Sequence, residues 1–345
     1  MAKVTIGCFH EHLPPVARES TVVAVDVIRA TTTAITAVAT GKRLYPAGSI
    51  EAAVRLAADL DRPILAGELG GVQPYGFDMQ NSPCEMEELG DASRPIILLS
   101  GSPEWSWPAL TLCPSSCQVP PAPRWDSSWR AMAAELARRY PRAAAIEIWN
   151  EPNERAFWQP AADPARYTDL LHQAYDAIKA VRPAMRVIGA GVDGRQVAEG
   201  GSMQGTSFLD AVLRAGGGSY MDGIAIHPYV HFDQIGSLAG LVASLRAVRD
   251  ANHDSRLSLW VTEIGLSTTG PRGISEAAQA GGLTRIYRIL ASERDIRAIV
   301  VHSLIEAPGS RGVAGPGYGV VRANLTPKPA YCSLRQLVGV RGRCE

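Results

Sequence analysis

The chain has 345 residues, 46% of them hydrophobic, and its 34 Lys plus Arg balance 34 Asp plus Glu. That length exceeds one small domain and fits either one large α/β barrel or two domains, with enough apolar content for a sizeable core. A net charge of zero argues against nucleic acid or an anionic membrane as the main partner, and no run reaches the roughly 18 apolar residues that span a bilayer.

In chain order, "MAKVTIGCFHEHLPP" carries one Lys and no long apolar run, so it does not read as a signal peptide and points to the cytoplasm. "TVVAVDVI" (21–28) reads as a buried strand, and "RATTTAITAVATG" (29–41) as a helix with a Gly stop. "KRLYPAG" leads into a second helix at 49–60 with Ser49 as its cap. "RPILAGE" (62–68) is a further strand, followed by a loop rich in Gly, Pro and Asn. From residue 94 short apolar runs alternate with amphipathic stretches. Strands are predicted at 95–100, 145–150, 186–191, 223–228, 257–263 and 298–304, with helices at 126–140, 164–182, 206–215, 235–251, 275–293 and 328–338. Asp163-Pro164 and Ser275 are helix starts. This alternation means βα units on a parallel sheet; six are counted where a (β/α)₈ barrel needs eight.

Six cysteines stand at 8, 84, 113, 117, 332 and 344, none in a C-x-x-C spacing, which argues against zinc. Cys113 with Cys117 and Cys332 with Cys344 are the candidate bridges. They suit an oxidising compartment, whereas the missing leader suits the cytosol.

Chemistry gathers at strand ends. In "AIEIWNEPN" an apolar strand runs into Trp149, Asn150 and Glu151, and in "LWVTEIG" a second one ends on Glu263, 112 residues later. Glu is almost never fully buried unless paired or working. In a parallel barrel all such ends converge on the face where active sites are built. Two carboxylates facing each other there are the apparatus of glycoside hydrolysis. "IAIHPY" brings His227 and Tyr229 to the same face, where either can hold a carboxylate by hydrogen bonding. The alternative for each Glu alone is a salt-bridged strand end.

"WNEPN" and "WVTEIG", with "HPY" and "GYGVVRANLTPKPAY", resemble the strand-four and strand-seven signatures of retaining glycosidases on (β/α)₈ barrels, near the cellulase-like and β-xylosidase-like families. The resemblance covers about residues 95 to 340. It implies Glu151 as general acid/base, Asn150 as donor to the sugar 2-hydroxyl, Glu263 as nucleophile, and Trp149 and Trp260 as wall residues, with no cofactor and a glycoside or oligosaccharide as substrate. Two departures stand out. Strand eight offers His302 and Glu306 in place of the usual aromatic platform, and strands one and two are not recognisable.

The first hundred residues resemble a different family. "VVAVDVIRATTTAITAVATG", "AGELGGVQPYGFDMQNSPCE" and "RPIILLS" are similar to the opening of 2-phosphosulfolactate phosphatase, a Mg-dependent enzyme of coenzyme M synthesis, over roughly residues 20 to 101. Asp26 ends a strand, Arg29 can grip a phosphate bidentately, and Thr31 to Thr33 open a helix whose free N–H groups favour anions. Glu68, Asp78 and Asn81 complete a candidate Mg²⁺ and substrate site. The join falls near 95 to 103, dividing the chain into a phosphatase-like α/β segment (1–94) and a glycosidase-like barrel portion (95–345).

Two architectures follow. In one, the pieces close a single hybrid barrel, with "TVVAVD" and "RLYPA" pairing beside "PIILLS". In the other, a barrel-like C-terminal body carries a separate N-terminal lobe, which the surplus strand "PILAGE" favours. Three functions compete: a retaining β-glycosidase, a sulfolactate-type phosphatase, and an inactive fusion or binding protein. The sequence names no oligomeric state.

Overall fold

The computed structural model describes residues 21–26, 50–60, 63–68, 94–108, 118–194, 200–306, 317–322 and 326–339, together with residues 43, 45, 324 and 344. The chain divides into two compact units, Met1–Pro95 and Ile96–Glu345.

In the first unit, β1 (Thr21–Asp26) and β2 (Pro63–Glu68) form a parallel two-stranded sheet, joined by a connection that includes α1 (Ile50–Ala58). Ala53, Ala57 and Leu65 are buried together, so one face of α1 lies on β2. The register pairs Thr21 with Pro63 and Asp26 with Glu68. The partner of β1 is thus "PILAGE" and not the expected "RLYPA", and Arg43 and Tyr45 are not in a strand. The Ser49 cap lies outside the described residues.

The second unit holds a six-stranded parallel sheet in the order β3 (Ile96–Leu99), β4 (Ala145–Asn150), β5 (Val187–Asp193), β6 (Gly223–His227), β7 (Ser258–Ile264) and β8 (Ile296–Val301). Between and after the strands run α2 (Asp126–Arg139), α3 (Pro164–Val181), α4 (Gly205–Arg214), α5 (Leu238–Ala251), α6 (Glu276–Ala291) and α7 (Pro329–Leu337). The sequential parallel order is that of a (β/α) barrel. The expected helix starts are in place: Asp163 accepts from the N–H groups of Ala165 and Arg166, and Ser275 from that of Ala278. A disulfide joins Cys332 to Cys344; Cys113 and Cys117 lie outside the described residues. Among the described residues no helix is long and apolar enough to cross a membrane.

Alternation along the strands makes two apolar layers. Outward residues such as Ile146, Ile148, Val187, Ile224 and Val261 join the helices in the main core. Burying each stabilises the fold by about 1.5–3 kcal/mol. Inward, Ala145, Ile188, Ala225 and Trp260 make a small interior floor. Trp260 lies across it because its neighbours are small: a Cβ on Gly223 would come within 2.6 Å of its indole nitrogen.

Candidate active site

One residue pair above that floor, the alternation continues inward with Glu147 on β4, His227 on β6 and Thr262 on β7. At the next level it is broken twice. Trp149 has φ +71° and Glu151 φ +44°. Left-handed backbone costs a non-Gly residue about 1–3 kcal/mol and persists only where surroundings over-determine it. Here they do. The Trp149 ring turns into the outer core between Trp129 and Trp158, and its N–H donates to the Phe157 carbonyl at 2.6 Å. The fully buried Asn153 side chain donates to the carbonyls of Asp193 and Met203 and accepts from the N–H of Asp193, binding the "WNEPN" turn to the end of β5. On β7 the pairing with β8 shifts register between Val261 and Ile264. Such irregularities re-aim side chains, and this one lies beside Glu263.

The result is a compact set of polar groups. An oxygen of Glu151, one of Glu263 and a ring nitrogen of His227 all lie within 4.8 Å of one another. His227 Nδ1 is 2.8 Å from Glu151 Oε1 and 3.6 Å from Glu263 Oε2. Tyr229 donates its hydroxyl to Glu263 Oε1 at 2.7 Å, and His302 Nδ1 lies 3.4 Å from the same oxygen. Below them, Thr262 donates to Glu147 Oε1 at 2.9 Å, while its oxygen is 3.2 Å from His227 Nε2.

Electrostatics separates the groups. Burial lifts the Glu151 carboxyl, which is 7% exposed; the His227 hydrogen bond opposes this, and the net shift is upward. Burial also raises Glu147, to about 7, against the opposing pull of His227 and Thr262. Burial pushes His227 down, yet the Glu151 hydrogen bond and the charges of Glu263, Glu151 and Glu147 outweigh it, so its affinity for a proton rises. Burial, then the Glu263 charge, keeps the Tyr229 phenol protonated. Two carboxyls and a histidine are also the donor types of a metal site. However, two ligands of one tetrahedral ion at about 2.0–2.2 Å stand about 3.4 Å apart, and the 2.8 Å between Nδ1 and Glu151 is the span of a proton.

Glu151, Glu263, His227, Tyr229 and His302 are thus brought together. Asn150 is half-buried at the end of β4, its backbone N–H on the Ser100 hydroxyl at 3.2 Å. Two expectations are corrected. Trp149 is no wall residue, because its backbone turn buries the ring behind the strand, and Trp260 is none, because strict alternation sends it to the interior floor. Glu306 is committed to Lys328 Nζ at 2.5 Å. Of the phosphate-site residues, Asp26 and Glu68 are register partners at the C-terminal ends of β1 and β2, residue types that suit Mg²⁺. Arg29, Thr31, Asp78 and Asn81 lie outside the described residues. Sequence reasoning missed Glu147, Thr262 and Asn153 as parts of the site. The period-two position of Glu147 inside an apolar strand was the available signal.

Comparison with known proteins gives two kinds of match, one by sequence over the first hundred residues and one by structure over most of the chain. Residues 9–100 match the family model of 2-phosphosulpholactate phosphatase. The protein named "Probable 2-phosphosulfolactate phosphatase" of Carboxydothermus hydrogenoformans is 44% identical over 85 residues, 24% of this chain and 35% of that one. Its namesake from Pseudothermotoga lettingae is 44% identical over 90 residues, 26% of this chain and 39% of that one. The chain therefore spans little more than a third of these relatives' length. Among solved structures, a monomeric β-xylosidase from Caulobacter crescentus aligns with TM-score 0.57 and 21% identity, over 95% of this chain and 70% of that one. A family 39 glycoside hydrolase from Bacteroides cellulosilyticus aligns with TM-score 0.55 and 20% identity, over 92% and 64%. These likenesses show the fold alone, a (β/α) barrel.

Proposed function

We propose that the chain is a retaining β-glycoside hydrolase in which Glu263 attacks the anomeric carbon and Glu151 serves as general acid, then base. The observation that carries this is the pair itself. Two carboxyls with oxygens within 4.8 Å lie on the side of retaining enzymes, whose carboxyls stand roughly 5–5.5 Å apart, rather than of inverting ones at about 6.5–9.5 Å. Their surroundings divide the roles. Glu151 is buried and raised, as an acid must be, while Glu263 is more open and accepts the Tyr229 hydroxyl. The Asn150 amide stands beside Glu151 as donor to the sugar 2-hydroxyl. Trp149 and Trp260 take no part in sugar contact. Aryl β-glycosides are the substrates to try, beginning with an aryl β-xyloside, since one structural neighbour is a β-xylosidase. With such a substrate Glu263→Ala loses turnover, whereas Glu151→Ala is slowed and rescued by azide, which attacks the glycosyl-enzyme without needing a base. Parental rates in either variant would refute the assignment.

A phosphatase reading has one observation in its favour, the match over residues 9–100. Only about a third of those relatives' length is present, and phosphoryl transfer depends on positioning water, metal and leaving group together. We therefore place turnover in the barrel unit and give the first unit no activity of its own.

A further inference from the structure

Glu147 is an ionisable residue where a barrel strand would ordinarily place an apolar one. It is 5% exposed and sits one level beneath the two carboxyls, its Oε1 4.0 Å from His227 Nε2. Its link to them runs through two side chains whose hydrogens can be counted. Thr262 has one hydroxyl proton, and it is donated to Glu147 Oε1 at 2.9 Å, an oxygen that accepts it both in the ionised carboxylate and in the neutral carboxyl with its hydrogen on Oε2. Towards His227 Nε2, 3.2 Å away, the same oxygen can then only accept, so Nε2 must carry a hydrogen. That leaves Nδ1, 2.8 Å from Glu151, as an acceptor facing that carboxyl, which favours its protonated form and leaves the proton for the leaving group. Without an acceptor at Glu147 the Thr262 hydroxyl is free to rotate and donate to Nε2. The neutral ring then carries its hydrogen on Nδ1, facing Glu151 as a donor, which favours the ionised carboxylate and spoils the acid.

The packing is built for this approach. A Cβ on Gly191 of β5 would stand 2.5 Å from His227 Nε2 and 2.7 Å from Glu147 Oε1. The charged groups facing the chain of contacts are Glu263 from β7, which acts on Glu147 and His227, and Asp193 from β5, which acts on Glu151. His302 and Tyr229 face Glu263. From β3, "IILL" brings no ionisable side chain.

We infer that Glu147 is a positioning residue of the site, which through Thr262 fixes the proton of His227 on Nε2 and so keeps Nδ1 an acceptor towards Glu151. The inference rests on Glu151 being the acid/base, and its test separates the two. The tautomer and titration of His227 are read by ¹⁵N NMR on histidine-labelled full chain without substrate, with its signal identified by loss in His227→Asn. The parent should show hydrogen on Nε2 in the neutral ring. Glu147→Gln keeps an acceptor oxygen, so the tautomer should persist while the ring titrates at lower pH. Glu147→Leu and the isosteric Thr262→Val should shift the hydrogen to Nδ1, and the alkaline limb of kcat/KM on an aryl β-glycoside should move down by about one pH unit, a roughly tenfold loss at alkaline pH. Thr262→Val carries the test if Glu147→Leu fails to fold. An unchanged tautomer in every variant overturns the inference even if the glycosidase is active. A switched tautomer upholds it even if no glycoside is cleaved, in which case the functional reading alone fails.

Discussion

Glu147 makes the stability of the barrel unit fall as pH rises. Its carboxyl titrates near 7 in the folded chain, against 4.5 when free. A raised folded value means that the native state holds the proton more tightly than the unfolded state. The resulting stability is fully present below 4.5 and is lost as pH rises through 7. The span of about 2.5 units corresponds to about 3 kcal/mol at 1.36 kcal/mol per unit. In Glu147→Gln the proton-linked part is gone. The variant should match the parent near pH 4.5 and exceed it by about 2–3 kcal/mol at pH 8, or about 1 M in urea midpoint for m near 3 kcal/mol/M. The assay is urea unfolding followed by tryptophan fluorescence. All seven Trp residues lie between 105 and 260, so the signal reports the barrel unit alone. A parent–variant difference that does not change between pH 4.5 and 8 would refute the buried neutral carboxyl.

Three further outcomes follow from the same geometry. Tyr229→Phe removes a charge-assisted hydrogen bond from Glu263, worth about 1.5–3 kcal/mol, and should lower kcat by about 10- to 150-fold with little change in folding temperature. Asn153→Ala strands two carbonyls and an N–H in a buried turn, and should cost about 2–4 kcal/mol in denaturant titration while releasing the backbone of Glu151. Incubation with phosphosulfolactate and Mg²⁺ should yield no phosphate above background; a rate that disappears in Asp26→Ala would show that the first unit is a working phosphatase.

The barrel unit was legible wherever one physical rule decided the outcome. Six strands and six helices were found from hydrophobic periodicity to within a few residues, because each buries a single face. The converging carboxyls were legible too, since parallel strands must end on one side. Trp149 and Trp260 were misplaced for opposite reasons. Trp260 obeys the period of two, and counting inward from Ala225 would have set it on the floor. Trp149 disobeys it, and no periodicity announces a left-handed residue in a strand. In the first unit β1 pairs with "PILAGE" rather than "RLYPA", a choice that the strand count alone did not make.

The breaks in the pattern have a common cause. A strand that alternates perfectly can offer its interior one residue in two, about 6.6 Å apart along the chain. Two carboxyls that must flank one anomeric carbon, each held by a donor and one kept neutral, need finer spacing than that. The left-handed pair at Trp149 and Glu151 and the irregular pairing before Ile264 supply it. The departure on β4 is held by groups with no part in the chemistry, Asn153 and the Trp129–Trp149–Trp158 stack. Local rules fail at functional sites because function asks for geometry that regular structure does not provide. The residues that compensate for the failure therefore mark the site as surely as the residues that act in it.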